Sequence, residues 1–308
     1  MLTQISDSLQ QLRLGTLQSF GNVTMVPLLA DDVGAPRYLT IDEALANGTA
    51  KIMEISESGS VPELWFENQG DKPVLLMDGE ELIGARQNRI INITILVGGH
   101  KKIAIPVSCV ERGRWSYVSR EFRSANRTLF SSAKAAKMRD VSHSLNSSGT
   151  RRANQSAIWE DIAHMSARMS VNSDTEAMSD VYDRRSRSLD AYQTKLRPEH
   201  GQTGAAFAIA GQLVGVEIFD SPDTFRKLFT KLVSGYALDA IDQAETGKGG
   251  VSMEQVSALL KRIADASTKS YASLGEGEDV RMTGDHLAGG ALLVNEHVVH
   301  LAAFEERA

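Results

Sequence analysis

Apolar positions change their spacing along the chain, and the changes divide it into three stretches. Leu2–Leu12 carries apolar residues at helical spacing, and Gly21–Leu29 (GNVTMVPLL) switches to the alternation and β-branching of a strand. Thr40 and Glu43 have the spacing of a capping box, which predicts a short helix through Ala46, stopped by Gly48. Strand chemistry then dominates in Lys51–Ser56, Glu63–Asn68, Val74–Met77, Gln87–Val97 and Lys101–Glu111, with turn signals at Gly59, Gln69–Gly70 and Asp78–Gly79.

The middle stretch loses that alternation. Ser131–Arg152 is Ser-rich with weak periodicity and reads as loop with helical pieces. Helices are predicted over Asn154–Met169 and Thr175–Leu196, the second opened by a capping box from Ser173 to Glu176, and Pro198–Gly201 ends the run. In the last stretch, Gly204–Phe219 and Gly289–Phe304 each read as strand, tight turn, strand, with turns at Ala210–Gly211 and Asn295–Glu296. The two segments align without gaps. Between them lie predicted helices Pro222–Ala244, capped by Ser221, and Met253–Ser273, with Ser252 and Gln255 as a capping box. Strands, then helices, then hairpins interleaved with helices predict an α+β fold: an antiparallel β-rich N-terminal part and two C-terminal hairpins, packed with about five to seven helices.

Composition narrows the function classes. At 42% apolar and 23% charged over 308 residues the chain has the make-up of a globular protein, read as a single α+β domain. No run approaches the roughly 20 apolar residues of a membrane-spanning helix, and the start MLTQISDSLQQL lacks a secretory layout, so a cytoplasmic protein without membrane attachment is expected. One cysteine, Cys109, excludes an intrachain disulfide and a cysteine-based metal cluster. Strand parity sets His297 and His300 on opposite faces, so no metal site is expected there, and no glycine-rich nucleotide cradle occurs. No cofactor is expected. Net charge is −6, yet ten basic residues between Arg112 and Arg152 face only Glu121 and Asp140. Residues 116–153 are read as a mobile, solvated basic connector rather than as a nucleic-acid site.

Polar information is densest in Asp78–Trp115. Side chains alternate along a strand, so Gln87, Arg89, Ile91, Ile93, Ile95 and Val97 share one face, and Ile103, Ile105, Val107, Cys109 and Glu111 another. A three-residue loop Gly98–Gly99–His100 brings both apolar faces to one core, pairing Val97 with Lys101, Ile91 with Val107, Arg89 with Cys109 and Gln87 with Glu111. The apolar face then ends in a polar cluster, with Arg114 and Trp115 following and Glu80 and Glu81 entering from the preceding turn. Apolar walls with a few convergent polar groups make a pocket mouth; the alternative is a structural ion pair closing the sheet, with Trp115 in the core. Cys109 reads as a small buried hydrophobe before it reads as a nucleophile.

The segments GEELIGARQNRIINITILV, IPVSCVERGRW, AIWEDIAHMSARM, GQLVGVEIFDSPDTFRKLFTKLVSGYALDAI and LAGGALLVNEHVVHLAAF resemble the ADP-ribosylglycohydrolase and rhodanese-phosphatase-associated domain family, from about Leu14 to Phe304. The family is named for enzymes encoded beside it, which implies a role in handling ADP-ribose or related NAD breakdown products. The resemblance supplies no catalytic residue. With it, the pocket reading becomes specific: Arg89 and Arg114 on ligand phosphates, Trp115 stacked on the base, Gln87 on ribose, Glu80, Asn88 and Cys109 lining the site, and Glu81 or Glu111 moving a proton. A non-catalytic scaffold for neighbouring ADP-ribose-handling enzymes is the competing reading, because no nucleophile–base pair is evident. A homodimer through a hairpin such as Gly289–Phe304 is a further expectation.

Overall fold

A computed structural model describes residues 3–31, 34–56, 59–244 and 249–305. In chain order, α1 (Thr3–Gln10) precedes β1 (Arg13–Leu14), β2 (Gln18–Phe20) and β3 (Val23–Leu29), and β4 (Leu39–Thr40) runs into α2 (Ile41–Ala46). Eight strands follow: β5 (Ala50–Glu54), β6 (Glu63–Asn68), β7 (Val74–Leu76), β8 (Glu80–Gly84), β9 (Arg89–Ile91), β10 (Ile95–Val97), β11 (Lys101–Cys109) and β12 (Phe122–Thr128). Helices α3 (Ser131–Ser148), α4 (Gln155–Arg168), α5 (Met178–Arg184) and α6 (Ser186–Lys195) lead to the hairpin β13 (Gln202–Ile209) and β14 (Gln212–Phe219). The chain closes with α7 (Pro222–Asp242), α8 (Met253–Asp265), β15 (Ser267–Ala272), β16 (Glu278–Gly284), β17 (Leu287–Val294) and β18 (His297–Glu305). The fold is α+β, and among the described residues every strand pairing is antiparallel except that between β4 and β7.

A nine-stranded sheet, ordered β1-β3-β13-β14-β18-β17-β16-β15 with β2 also on β3, organises the molecule. One face packs on α1 and α8 through Val26, Leu28, Val216, Ile218 and Leu301. The opposite face, carrying Met25, Phe207, Phe219 and Phe304, packs on the long helix α7 and the middle helices. A six-stranded sheet, β12-β8-β9-β11-β6-β5, and a three-stranded one, β10-β7-β4, enclose a third apolar cluster with Ile52, Phe66, Leu82, Ile91 and Val107.

The two C-terminal hairpins form as the alternation predicts and lie side by side through β14 and β18. Both turns put two residues at positive φ, Ala210 with Gly211 and Asn295 with Glu296, the twist that a two-residue hairpin loop requires. Both ladders slip at the same step before the turn, at Phe207/Ala208 and at Leu292/Leu293. Gly215 pairs with Phe304 and Phe219 with His300, so Glu217 and Ala302 straddle a local two-fold relation between the hairpins. Because β17 and β18 are interior strands, Gly289–Phe304 offers no edge for a second copy.

Several expectations are corrected. Residues 116–153 hold β12 and the 18-residue helix α3, whose Lys134 and Lys137 are buried, so the Ser-rich stretch is a packed helix with charge on its inner face. The predicted strand Gln87–Val97 breaks into β9 and β10, since β10 leaves β11 to pair with β7, and Lys101 pairs with Asn68 rather than Val97. Glu80 and Glu81 lie in strand β8, not in a turn. The helix predicted over Thr175–Leu196 breaks at Arg185, and Ser173 bonds the Ala177 N–H instead of forming the expected box. The capping boxes at Thr40 and Ser252 form as predicted, but α8 stops at Asp265 and Ser267–Ala272 becomes an edge strand. The predicted helix start at Leu2 falls outside the described residues.

Glu296 is exposed and sits at φ 67°, a conformation that costs an L-residue about 1 kcal/mol or more relative to glycine. Glu296→Gly is therefore expected to stabilise the protein by about 0.5–1 kcal/mol, read as a higher urea midpoint with an unchanged slope.

Candidate functional site

The register read from strand parity holds where the site was expected: Ile91 pairs with Val107 and Arg89 with Cys109. Gln87 continues the line, donating from Nε2 to the Glu111 carbonyl at 2.9 Å and accepting from Arg89 Nη1 at 2.7 Å. The four side chains do converge, but they converge inward. Arg89 and Cys109 have no exposed surface, and Gln87 and Glu111 only 5% each.

Arg114 is consumed by structure. It pairs with both oxygens of Glu111, at 2.8 and 2.6 Å, and donates to the carbonyls of Gly84, Ala85 and Ser116 and to Asn88 Oδ1. That spends its donor fork on holding the 112–118 loop. Burial raises the Glu111 pKa, but the Arg114 pair and the Asn88 N–H at 3.0 Å more than offset this, leaving a firmly ionised carboxylate. Burial pushes the Cys109 thiol up despite the neighbouring Arg89 charge, so it stays protonated and poorly nucleophilic.

Glu80 and Glu81 point to opposite faces of β8 because they are consecutive in a strand. Glu80 Oε1 meets Lys231 Nζ of α7 at 2.7 Å, and that ammonium also reaches Asp42 and Ser124. Glu81 meets Arg127 Nε at 2.7 Å. Burial raises Glu81 to about 7, with Arg127 opposing and Asp183 and Glu111 adding to the rise. Of the two alternative proton-moving carboxylates, Glu111 is thus spent on Arg114 and Glu81 is sealed behind Arg127.

What remains outward is the loop that Arg114 pins. Trp115 and Tyr117 are 43% and 48% exposed, and the Arg86 guanidinium lies over both rings, 5.6 and 4.3 Å from their centroids. Arg89 sits beneath Trp115 at 5.6 Å, and its Nε and Nη2 have no hydrogen-bond partner. Gly59, at φ 78°, packs on the same indole, and a Cβ there would come within 3.1 Å of Trp115.

A second polar centre went unrecognised in the sequence. Asp78 N donates to Thr94 Oγ1 at 3.1 Å, Thr94 Oγ1 bonds His300 Nδ1 at 2.7 Å, His300 Nε2 bonds Glu217 Oε2 at 3.0 Å, and Glu217 Oε1 meets Lys134 Nζ at 2.5 Å. Lys137 pairs with Asp78 and donates to the Asn92 carbonyl. His300 is a diagonal cross-strand neighbour of Glu217, and its ring stacks on Phe219 at 4.5 Å. Burial lowers the His300 pKa although Glu217 opposes it, so the ring is neutral. Lys134 and His300 hold the Glu217 pKa down against burial, and an ionised carboxylate can only accept, so the ring proton resides on Nε2 facing Glu217 and the Thr94 hydroxyl donates to the bare Nδ1. A hydroxyl on a neutral imidazole on a carboxylate is the order of an activated nucleophile. The cavity beside it, lined by Asp78, Thr94, Arg281 and His300, measures about 10 Å³, room for roughly one water and no organic substrate.

The signal for this centre was a lone polar residue in each of two apolar strands, Glu217 in QLVGVEIF and His300 in HVVHLAAF. A larger open cleft of about 470 Å³ lies at the start of α7, beside His200, Ser221 and Arg226, and none of the expected site residues lines it. Among the described residues no group of three or more His, Cys, Asp or Glu is placed to hold a metal ion, and no helix is long and apolar enough to cross a membrane.

These features define a class: an antiparallel α+β protein that buries a set of paired charged residues and displays one aromatic–arginine loop. Residues 11–304 match the family described as the ARG and Rhodanese-Phosphatase-superfamily-associated Protein domain, and the chain belongs to that family. The description itself associates its members with other proteins. No curated protein and no solved structure matches the chain.

Glu81 gives the site a pH signature. Its folded pKa of about 7 lies above the ordinary carboxylate value, so its favourable contribution is complete below about pH 4.5 and is lost as pH rises through 7. Urea midpoints measured across that window are expected to fall less steeply for Glu81→Gln than for the unaltered protein.

Proposed function

We propose that the protein binds an ADP-ribose-like ligand on the face made by Trp115, Arg86 and Tyr117. The observation that carries this reading is the pair of unpartnered guanidinium nitrogens, Nε and Nη2, on Arg89, a fully buried cation directly beneath the most exposed indole of the chain. A buried donor without a partner costs about 1–3 kcal/mol, which a ligand oxygen recovers by bonding it. A ligand whose base stacks on Trp115 and shifts the indole from the guanidinium brings its phosphate to those donors, and Gln87 holds Arg89 in place through Nη1. Arg114 serves by pinning the loop rather than by touching phosphate. The family's association with ADP-ribosylglycohydrolase-type enzymes supplies the ligand class.

The saturation of Glu111 and Arg114 favours binding over bond cleavage, and with it an accessory role beside partner enzymes. Calorimetric titration separates the readings. ADP-ribose is expected to give saturable heat that adenosine alone reproduces only weakly. Trp115→Ala should weaken binding by about 1–3 kcal/mol, roughly 5- to 150-fold, while Trp115→Phe retains most of it. No heat at millimolar ADP-ribose overturns ligand binding and leaves the accessory role, which predicts co-purification with a neighbouring enzyme.

A further inference from the structure

Lys134, Lys137 and Lys231 are buried, and each meets a buried carboxyl group. A charged pair out of water needs further hydrogen bonds to satisfy its remaining protons and lone pairs. Two of the pairs have them. Glu80, paired with Lys231, also accepts from the Met77 N–H at 2.8 Å, and the Lys231 ammonium reaches Ser124 at 2.7 Å. Glu217, paired with Lys134, also bonds His300. Lys137 and Asp78 lack that support. Apart from the Lys137 contact, neither Asp78 carboxyl oxygen has a hydrogen-bond partner among the described residues, and the amine otherwise donates only to the Asn92 carbonyl at 3.0 Å. Burial and the Arg281 charge hold the Lys137 pKa well below the ordinary lysine value although Glu217 opposes them, whereas Glu80 and Asp42 outweigh burial at Lys231. A free amine held against a carboxyl group and sealed from water is the reactant pair of an amide condensation.

We propose that Lys137 and Asp78 condense to an intramolecular isopeptide bond, which ties helix α3 covalently to the turn between β7 and β8. With Lys137 as the free amine and Asp78 as the acid, the Nζ–Cγ bond forms and one Cγ–Oδ bond breaks. The departing hydroxyl takes one proton from Nζ and leaves as water, so no oxidant or cofactor enters the balance. The N–H that stays on Nζ keeps its acceptor, the Asn92 carbonyl.

The surroundings suit that step. The cavity of about 10 Å³ borders Asp78 and has room for about one water, the size of the leaving group. Arg281 lines the same hollow with Nε and Nη1 unpartnered, a positive charge beside the oxygen that becomes negative as the amine adds. Thr94 and His300 complete the wall, so the hydroxyl–imidazole–carboxylate relay adjoins the reacting pair. A competing nucleophile is the Gly79 nitrogen, which would close a succinimide on Asp78, but its N–H is engaged by the Ile91 carbonyl at 2.8 Å. The bond forms independently of any ligand at Trp115.

Intact-mass spectrometry of the full chain under denaturing conditions reads the bond directly. The unaltered protein is expected to be lighter than its sequence by the mass of one water, and its tryptic digest to contain a branched peptide joining Asp78 to Lys137. Lys137→Met should restore the full mass. An unaltered protein at its full sequence mass overturns the proposal. So does a loss of water that persists in Lys137→Met, which marks a succinimide at Asp78–Gly79. If Lys137→Met does not fold, the presence or absence of the branched peptide in the unaltered chain still decides.

Discussion

Burial of long cationic side chains is the constraint on which this structure depends. Arg89, Lys134, Lys137, Lys231 and Arg281 are each 6% exposed or less. Each needs a counter-charge or acceptor at contact distance, because removing one partner of a buried pair costs about 3–5 kcal/mol. Those partners come from distant parts of the chain. Lys134 of α3 reaches Glu217 of β14, and Lys231 of α7 reaches Glu80 of β8 and Asp42 of α2. The pairs therefore fix how helices sit on sheets with a directionality that apolar packing lacks. Small residues make room for them: Gly79, at φ 81°, lets Lys134 pass, with a would-be Cβ only 2.9 Å from its Cε.

The same constraint limits where ligands can act. An ionised group whose hydrogen bonds are all made cannot bind substrate without giving something up, which removes Arg114, Glu111 and Lys231 from the first contact with any ligand. Buried groups with unspent capacity are few, and Arg89 and Arg281 are the arginines with two unpartnered nitrogens each. Their settings differ. Arg89 lies under an exposed aromatic loop that can accept a ring, whereas Arg281 borders an enclosed hollow with room for about one small species.

Buried charge also explains which features were legible in the sequence. Alternation along Arg89–Ile91 and Val107–Cys109 gave the correct pairing, because both strands turn one apolar face to a core and a one-residue slip would expose it. The same logic could not tell that Ile95–Val97 deserts to β7, since an apolar strand of matching parity fits either neighbour. Ser131–Arg152 reads as loop with helical pieces because its Ser-rich pattern is weakly periodic, and the period is masked because Lys134 and Lys137, polar by type, lie on the inner face of α3. Glu80 and Glu81 read as turn residues because they follow the Asp78–Gly79 turn signal, yet they open strand β8. Glu217 and His300 were visible as polar interruptions in apolar strands, but their meeting depends on β14 pairing with β18, a long-range contact that no local pattern reports.

The account turns on a defined protonation state in the Asp78–Thr94–His300–Glu217–Lys134 chain. Nitrogen-15 NMR of histidine-labelled protein measures it directly. A neutral His300 ring with its proton on Nε2, unchanged from pH 8 to below the ordinary histidine pKa, is the predicted result. An imidazolium at neutral pH, or a ring protonated on Nδ1, would contradict it.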